Sequence, residues 1–348
     1  MLVYLIMYFI LIIFFKFINT KKINLFDILL IIMLILVSGL RYAIGTDYMM
    51  YKSFYFNVNL PNAEKVETGF KILINIVKNV FGYKFWYFFV ICAAISIIPI
   101  YYVIKKKSKY PAFTLIMFVS MGFYTLSFNM VRQFVAIAIC IIALEFIYRK
   151  NFIAYVFTII FASFFHITAL IMIPAYFMGI GDFKSNTLLK IFIIELFVGI
   201  LFNPIFNFLV SHISQYAMYA KYRGTTPGIG TYLLSGIYLF LIFVQIKFYE
   251  KFVKNEFEKC CLNLSILAVP FIVFSIYNVL FARIIYYFLI PALIPFSNIL
   301  DFFKIKRTQK AFNVFIIMLL LVVYILNIVS FNGVFPYKSV IGKKFILF

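Results

Sequence analysis

The sequence predicts an all-α, polytopic membrane protein: one integral membrane domain over 1–348 with about twelve transmembrane helices. Hydrophobic residues make up 66% of the 348 residues, and the mean hydropathy is +1.07. A soluble chain of this length could not bury so much apolar surface, so much of it must face lipid. Charged residues amount to 12% and fall in short clusters between apolar runs. Strand alternation is absent, which disfavours a transmembrane β-barrel.

Apolar runs recur along the whole chain, most of them near the ~20 residues that a helix needs to cross the hydrocarbon core. The first run, Leu2 to Phe15, has no basic residue before it and no small-residue cleavage site after it. We therefore interpret it as a retained helix and not as a signal peptide. The short sixth and seventh runs are either half-helices that meet at His166 or one kinked segment. The predicted spans lie near 2–18, 24–40, 85–104, 112–128, 131–148, 152–166, 168–180, 188–208, 231–249, 261–280, 284–300 and 311–330.

Basic clusters predict the orientation of these spans. The formal charge is +21, but its clusters are short and lie between spans, which indicates topology determinants and contacts to anionic lipid, not nucleic-acid binding. The clusters fall on one side of the predicted bundle, which we take as cytoplasmic. They cover 20–22, 105–109, 149–151, 247–259 and 304–310.

Most of the arginines do not share this preference for the predicted cytoplasmic side. Four of the six arginines, Arg41, Arg132, Arg223 and Arg283, fall on the outer side. A guanidinium binds phosphate oxygens in bidentate fashion and stays charged when partly desolvated. We therefore predict that the four converge on one outer pocket suited to a pyrophosphate. The alternative for each is that it anchors to lipid headgroups or pairs with a carboxylate.

The first outer segment, 41–84, contains two features. In "RYAIGTDY", Gly45 permits a tight turn between Arg41 and Asp47. Either these two form a salt bridge, or Arg41 binds phosphate while Asp47 accepts a hydrogen bond from a sugar hydroxyl or acts as general base. Further on, polar and apolar residues at helical spacing predict an amphipathic helix near 67–82 on the membrane surface, which either shapes a lipid entrance or caps the bundle.

Two later stretches carry polar residues at the outer border. In "SFNMVRQFVAIA", Asn129, Arg132, Gln133 and Ala136 fit one helical face turned towards a cavity. The alternative is an arginine that reaches the headgroups beside an interhelical glutamine. His166 lies at the break between two short spans, where it either lines a cavity or is a satisfied packing residue.

The outer loop near 209–230 is rich in tyrosine. His212, Tyr216, Tyr219 and Arg223 step by four, three and four, so they would share one side of a short helix. Tyrosine rings pack against sugars while their hydroxyls form hydrogen bonds, so the loop is either a glycan-facing lid or an interfacial aromatic belt.

The segment "FARIIYYFLIP" presents one more cation. Arg283 stands one turn before Tyr286 and Tyr287, and either clamps phosphate or anchors to headgroups. With only two histidines and no cysteine placed for an extracellular disulfide, no metal-ligand cluster is present in the sequence, and we expect no metal or cofactor.

Three stretches in order resemble the EpsG family of Wzy-like polysaccharide polymerases. They are "RYAIGTDYMMYKSF", "ETGFKILI", and "FNMVRQFVAIAICIIALEFIYRK" leading into "FFHITALIMIPAYF", and together they span 38–180. "ARIIYYF" and the late "FPYKS" are compatible with the family. The residues that the family pattern marks are Arg41, Gly45, Asp47, Tyr48, Tyr51, Glu67, Arg132, Gln133 and His166.

The resemblance implies a multi-spanning glycosyltransferase, similar in plan to the GT-C class, in the bacterial inner membrane. Such proteins join oligosaccharide repeat units carried on undecaprenyl pyrophosphate into capsule, exopolysaccharide or O-antigen, and a chain-length regulator protein is a candidate partner. By this reading the four outer arginines stabilise the departing pyrophosphate, and either Asp47 or His166 takes the acceptor proton. Glu67, Gln133 and the tyrosines at 48, 51, 216, 219, 286 and 287 would contact substrate.

Two other functions remain as alternatives. An O-antigen ligase would use the same donor and similar arginines but a different acceptor. A flippase or transporter of lipid-linked oligosaccharides should show paired repeats, broken midplane helices and charges near the bilayer centre. Here the charges gather at the outer border, which favours the transferase.

Overall fold

The computed structural model describes residues 1–20, 22–57, 66–212, 228–278, 281–330 and 333–341 of the chain. The regular elements that these residues form are helices, and the β pairing found among them is an isolated bridge between Arg41 and Ser339. The all-α class predicted from the sequence is therefore confirmed.

The helices follow the predicted apolar runs closely. Two 3₁₀ helices of the described residues adjoin α-helices: Ile167–Ile171 precedes the α-helix Met172–Gly179, and Ser297–Asp301 follows the α-helix that ends at Phe296. In chain order the α-helices of the described residues are α1 (Leu2–Ile13), α2 (Phe15–Ile18), α3 (Leu25–Gly39), α4 (Tyr48–Phe56), α5 (Thr68–Phe81), α6 (Trp86–Lys107), α7 (Pro111–Ser120), α8 (Phe123–Leu126), α9 (Val131–Tyr148), α10 (Phe152–Ser163), α11 (Met172–Gly179), α12 (Ser185–His212), α13 (Ile229–Lys247), α14 (Tyr249–Phe252), α15 (Glu256–Ile266), α16 (Val269–Ser275), α17 (Ala282–Phe296) and α18 (Lys306–Ser330).

Seven helical segments of the described chain are long and apolar enough to cross a membrane. This establishes a multi-pass membrane protein, whereas the number of about twelve spans stays a prediction. The other predicted spans coincide with apolar helices of 10–17 residues. The seven segments are Trp86–Lys107, Val131–Tyr148, Ser185–Phe208, Gly230–Lys247, Glu256–Ser275, Ala282–Asp301 and Lys306–Val329.

The helices group into two compact units. The first contains Met1–Phe146, Asn151–Ile173 and Phe303–Phe348, and the second contains Ile147–Lys150 and Pro174–Phe302. This division was not predicted from the sequence, and the single integral membrane domain expected over 1–348 stays a prediction. The polar residues described below lie mainly in the first unit.

Helix α5 occupies the segment expected to form the outer amphipathic helix. It ends at Gly82, whose φ of +62° suits a residue without a Cβ. Apolar side chains lie on two of its faces. The buried ones pack into an aromatic core with α4 and α6 and are Phe70, Ile74 and Val77, while the exposed ones are Ile72, Ile76 and Val80. An exposed apolar face of this kind suits contact with lipid, and the position of α5 on a membrane surface stays a prediction.

A buried ion pair closes one end of the first unit. Lys105 Nζ lies 2.7 Å from Asp27 Oδ1, both side chains are fully buried, and the same ammonium donates to the Ile18 carbonyl at 2.7 Å. The Tyr101 hydroxyl also donates to Asp27. The second carboxylate oxygen of Asp27 accepts from the Asn24 backbone at 2.7 Å, which completes the N-terminal cap of α3.

The predicted outer segments of the first unit meet at the opposite end of α3. This helix has 15 residues, so its ends are about 22 Å apart. Beyond its last turn, the Tyr42 N–H donates to the Lys338 carbonyl at 2.8 Å, and the Gly69 N–H donates to the Phe164 carbonyl at 2.9 Å. These contacts bring the predicted outer segments together, and their orientation relative to a membrane stays a prediction.

The buried pair predicts a non-additive effect on stability. Asp27→Asn or Lys105→Met alone should lower the free energy of unfolding by about 3–5 kcal/mol, because each leaves the other charge buried without its partner. The double variant should recover much of that loss. Thermal unfolding of the purified protein in detergent measures both effects, and single variants as stable as the wild type would contradict the argument.

Candidate functional site

The chain breaks its helical path at His166. Helix α10 ends at Ser163, and the 3₁₀ helix that leads into α11 begins at Ile167. Between them His166 has extended backbone angles, φ −157° and ψ 118°. This turn corresponds to the expected break between two short segments, and it directs the imidazole towards the start of α5.

Glu67 connects three distant parts of the chain. It is the N-cap residue of α5, and its Oε2 accepts a hydrogen bond from Arg132 Nη1 at 2.6 Å. Its Oε1 lies 2.8 Å from His166 Nδ1 and 3.3 Å from the backbone N–H of Ile167. We call Glu67, Arg132 and His166 the Glu67 cluster. Both carboxylate oxygens are engaged, so the three side chains hold one another in place.

The Glu67 carboxylate is strongly stabilised in its ionised form. Burial by itself raises its pKa, but the hydrogen bond from His166 and the positive charge of Arg132 outweigh burial and lower the pKa to about 2. The position at a helix N-terminus acts in the same direction. Glu67 is therefore a carboxylate at any pH at which the protein would work.

The ionised Glu67 determines how the His166 ring presents its two nitrogens. A carboxylate can only accept hydrogen bonds, so Nδ1 of His166 must carry the hydrogen that lies between them. In the neutral imidazole Nε2 is then the basic nitrogen. The side chain of His166 is 15% exposed, so it is partly accessible from outside. An imidazole held this way can accept a proton from a nearby hydroxyl.

Arg132 is held from a second side. Its guanidinium also forms a hydrogen bond with the Tyr51 hydroxyl of α4, and Tyr51 is buried in the aromatic core. The side chain of Arg132 remains 19% exposed. Since a guanidinium carries five N–H groups, bonds to Glu67 and Tyr51 leave donors for a further anionic group.

A glycine permits the close approach on which the Glu67 cluster depends. The Gly69 N–H donates to the Phe164 carbonyl at 2.9 Å. A Cβ on Gly69 would lie 2.7 Å from that same oxygen, which is closer than real Cβ contacts allow. The short spacing from Glu67 to Gly69 in "ETG" thus brings the N-terminus of α5 directly against the His166 turn.

Arg41 is placed differently from the prediction. Its side chain is 1% exposed, and its two Nη atoms donate to the carbonyl of Ser38 and, at 2.9 Å, to that of Phe128. The guanidinium carbon lies 3.9 Å from the centre of the Phe89 ring. Arg41 thus forms neither the salt bridge with Asp47 nor an open phosphate contact, because the chain around it encloses the guanidinium.

The loop after Arg41 is fixed by Asn129. The Thr46 N–H donates to Asn129 Oδ1 at 2.8 Å, and Gly45 has a φ of +92°. A Cβ on Gly45 would lie 2.4 Å from the same amide oxygen, so this turn requires glycine on both counts. Asp47 follows, half-buried, and accepts a hydrogen bond from the Thr46 hydroxyl at 3.1 Å.

The polar face expected on α9 is wrong in part. Asn129 precedes the helix, which begins at Val131, and its side chain caps the Thr46 turn instead of pointing into a cavity with Arg132. Gln133 is 2% exposed, so it lies within the protein and not at an open substrate surface.

The tyrosines expected to contact substrate are mostly interior. Tyr48 and Tyr51 belong to the aromatic core of the first unit, at 3% and 2% exposure. In the second unit Tyr286 and Tyr287 are buried, whereas Arg283, at the start of α17, is exposed. Packing of the rings explains the burial, since tyrosine supplies large apolar faces with a polar tip.

Most of the predicted outer loop near 209–230 lies outside the described residues. Tyr216, Tyr219 and Arg223 lie outside the described residues. Arg41 is enclosed, so convergence on one outer pocket stays a prediction for Arg132, Arg223 and Arg283 only. Within the ranges that the structure describes, no group of three or more His, Cys, Asp or Glu side chains could hold a metal ion.

The sequence did not reveal the role of the segment around "FPYKS". The Gly333 carbonyl accepts from the Gly45 N–H at 3.1 Å, and the Tyr337 hydroxyl donates to the Val37 carbonyl at 2.9 Å. Together with the bridge between Arg41 and Ser339, these contacts hold the loop that carries Asp47.

Comparison with known protein families identifies one that covers most of the chain. The model of the EpsG family matches residues 24–339, which include every segment of the Glu67 cluster and the segment that holds the Asp47 loop. No curated protein and no solved structure matches the chain significantly.

Gly69→Ala should loosen the Glu67 cluster. The added methyl group meets a carbonyl oxygen and must push α5 away from the His166 turn, which we expect to cost about 1–3 kcal/mol of stability. Gly236→Ala is the matched control, because a Cβ at this helical position meets nothing within 4 Å. Its unfolding temperature in detergent should equal or exceed that of the wild type. Equal stability of both variants would argue against close packing at Gly69.

The lowered pKa of Glu67 predicts a stability difference that depends on pH. The stabilisation by its ion pairs is fully present above the ordinary glutamate pKa of 4.5 and is lost as the pH falls towards about 2. The gap in unfolding temperature between wild type and Glu67→Gln should thus stay constant from neutral pH down to roughly pH 5 and shrink below it. A gap that vanished already between pH 8 and 6 would contradict this assignment.

Proposed function

The chain belongs to the EpsG family, and from this premise we propose that it is a membrane glycosyltransferase that polymerises oligosaccharide repeat units carried on undecaprenyl pyrophosphate. The reaction takes place on the extracytoplasmic face of the bacterial inner membrane and yields capsule, exopolysaccharide or O-antigen. About twelve spans with a GT-C-like plan are part of this proposal. The resemblance inferred from the sequence motifs is confirmed by the family match.

The Glu67 cluster is the observation that carries the proposal. A guanidinium and an imidazole, both partly exposed, lie within 2.6 and 2.8 Å of opposite oxygens of one carboxylate. Transfer from a glycosyl pyrophosphate needs positive charge for the departing phosphate and a base for the attacking hydroxyl. The cluster supplies one group of each kind.

In the proposed reaction a sugar hydroxyl of the acceptor attacks the anomeric carbon of the donor. The bond between that carbon and the phosphate oxygen breaks, and its electron pair stays on the pyrophosphate. His166 Nε2 takes the proton of the acceptor hydroxyl, while Glu67 keeps the ring oriented and stabilises the imidazolium that forms. Arg132 offers its remaining N–H groups to the pyrophosphate and stabilises the growing negative charge.

The geometry favours His166 over Asp47 as the base. His166 has its orientation set by a carboxylate, whereas Asp47 lies on a turn with only the Thr46 hydroxyl bound to it in the described residues. We therefore assign Asp47 to a hydrogen bond with a sugar hydroxyl and Arg41 to positioning of the turn. Arg223 and Arg283 remain proposed pyrophosphate contacts, and Tyr216 and Tyr219 remain proposed glycan contacts.

The substrates of this proposal are two lipid-linked oligosaccharides, one as donor and one as acceptor, reached through the membrane lipid. A chain-length regulator protein is a proposed partner. An O-antigen ligase is the remaining alternative, and the length of the accumulated product separates the two. Loss of a polymerase leaves single repeat units on the carrier, whereas loss of a ligase leaves long chains on it.

Arg132→Ala and His166→Ala should each reduce polymer formation by about 10²-fold or more. Cells in which the variant is the sole copy should accumulate single lipid-linked repeat units, visible by gel analysis of extracted carrier lipids, with unchanged amounts of the membrane protein. Arg307→Ala is the control, since this exposed arginine at the start of α18 lies outside the site. Full-length polymer from Arg132→Ala, or long chains left on the carrier, would overturn the proposal.

A further inference from the structure

A small cavity beside Arg41 takes no part in the proposed reaction. It is lined by Ser38 at the end of α3, by the face of α6 that carries Phe89, Cys92 and Ser96, and by the segment that leads into α9. The α6 residues recur at intervals of three and four, so they lie on one side of that helix. The cavity has room for about one species the size of a water molecule or a halide ion.

Arg41 places a positive charge beside this cavity, and its side chain is buried. Burial lowers the pKa of its guanidinium to about 10, so the group is still protonated at neutral pH. The carbonyl groups of Ser38 and Phe128 and the ring of Phe89 stabilise the cation but leave its net charge in place. Among the described residues no carboxylate forms an ion pair with Arg41. A buried charge without a counter-charge is expensive.

The groups that line the cavity are suited to donate hydrogen bonds. Arg41 Nε is buried without a hydrogen-bond partner in the described part of the chain. The hydroxyl groups of Ser38 and Ser96 are buried as well, at 2% and 3% residue exposure. The hydroxyl of Ser127, in contrast, already donates to the Tyr124 carbonyl at 2.6 Å. A water molecule would satisfy these donors but would not compensate the positive charge of Arg41. An anion accepts the hydrogen bonds and compensates that charge as well.

We propose that this cavity binds one small monovalent anion, with chloride as the ligand. The anion accepts hydrogen bonds from Arg41 Nε and from the hydroxyl groups of Ser38 and Ser96, and it neutralises the buried guanidinium. Chloride and bromide fit the space, whereas sulfate, phosphate and gluconate exceed it. The site stabilises the junction between α3, α6 and α9, and it does so whether or not the proposed glycosyl transfer is correct.

Halide dependence of thermal unfolding tests the site without any activity assay. The purified protein in detergent is titrated with sodium chloride against sodium gluconate at constant ionic strength. The unfolding temperature should rise saturably, by about 2 °C, with chloride and with bromide and not with sulfate. Equal unfolding temperatures in chloride and gluconate over the whole titration would mean that the cavity holds water only, which overturns the proposal.

Variants of Ser96 test whether the chloride-dependent increase in unfolding temperature arises at this cavity. Ser96→Val removes a donor and fills the cavity, so it should unfold at the wild-type temperature in gluconate and lose the rise with chloride. Ser96→Ala adds no volume but removes one hydrogen-bond donor to the anion. The chloride concentration that gives half of the maximal increase in unfolding temperature should therefore be about ten times higher than in the wild type. Ser265→Ala is the control, since this serine of α15 is buried and its hydroxyl donates to the Leu262 carbonyl. A wild-type chloride response in both Ser96 variants would place the ion elsewhere and refute the site.

Discussion

One carboxylate organises the end of the first unit that was predicted to face outward. Glu67 is bound by a cation 65 residues away and by an imidazole 99 residues away, and each of them begins or precedes a helix. The carboxylate thereby fixes how α5, α9 and the break before α11 meet. Removing it would leave Arg132 and His166 without a common partner, so the geometry of any reaction at this place depends on it. The aromatic core of α4, α5 and α6 supplies the rigid support behind it.

Arginine serves two separate purposes within this unit. Arg132 is partly exposed and shares its donors between protein groups and the outside, as a group that binds a charged substrate must. Arg41 is enclosed, stacked on Phe89 and bonded to backbone carbonyls. A planar guanidinium can stack and bond in its plane at once, which a lysine ammonium cannot. The same residue type at the same predicted border therefore serves as the proposed substrate contact in one case and as an internal support in the other.

Much of the fold followed from the sequence, and much of the site did not. The apolar runs predicted the helices because their length and hydropathy are local properties, and the motifs identified Glu67, Arg132 and His166 as individual residues. Their contacts with one another depend on chain topology, which periodicity does not encode. The burial of Arg41 was missed for a related reason: an arginine that follows an apolar helix has the same local pattern whether a later segment covers it or not. The burial of Tyr48 and Tyr51 was missed because a tyrosine suits both a core and a sugar-binding surface, and their contact with substrate stays a prediction.

The segment that covers the Arg41 loop also bears on how the protein is made. The Tyr337 hydroxyl binds the Val37 carbonyl across 300 positions, and the Tyr4 hydroxyl binds the Val334 carbonyl across 330. At ordinary rates of translation, roughly 15 to 60 s separate the emergence of these partners from the ribosome. During that interval α6 and α9, which are long and apolar enough to cross a membrane, have already emerged and can enter the bilayer, while the loop after α3 still awaits its partner. The nascent protein therefore passes through an inserted but unfinished stage, in which the carbonyl and amide groups of that loop must be satisfied by water or by lipid headgroups.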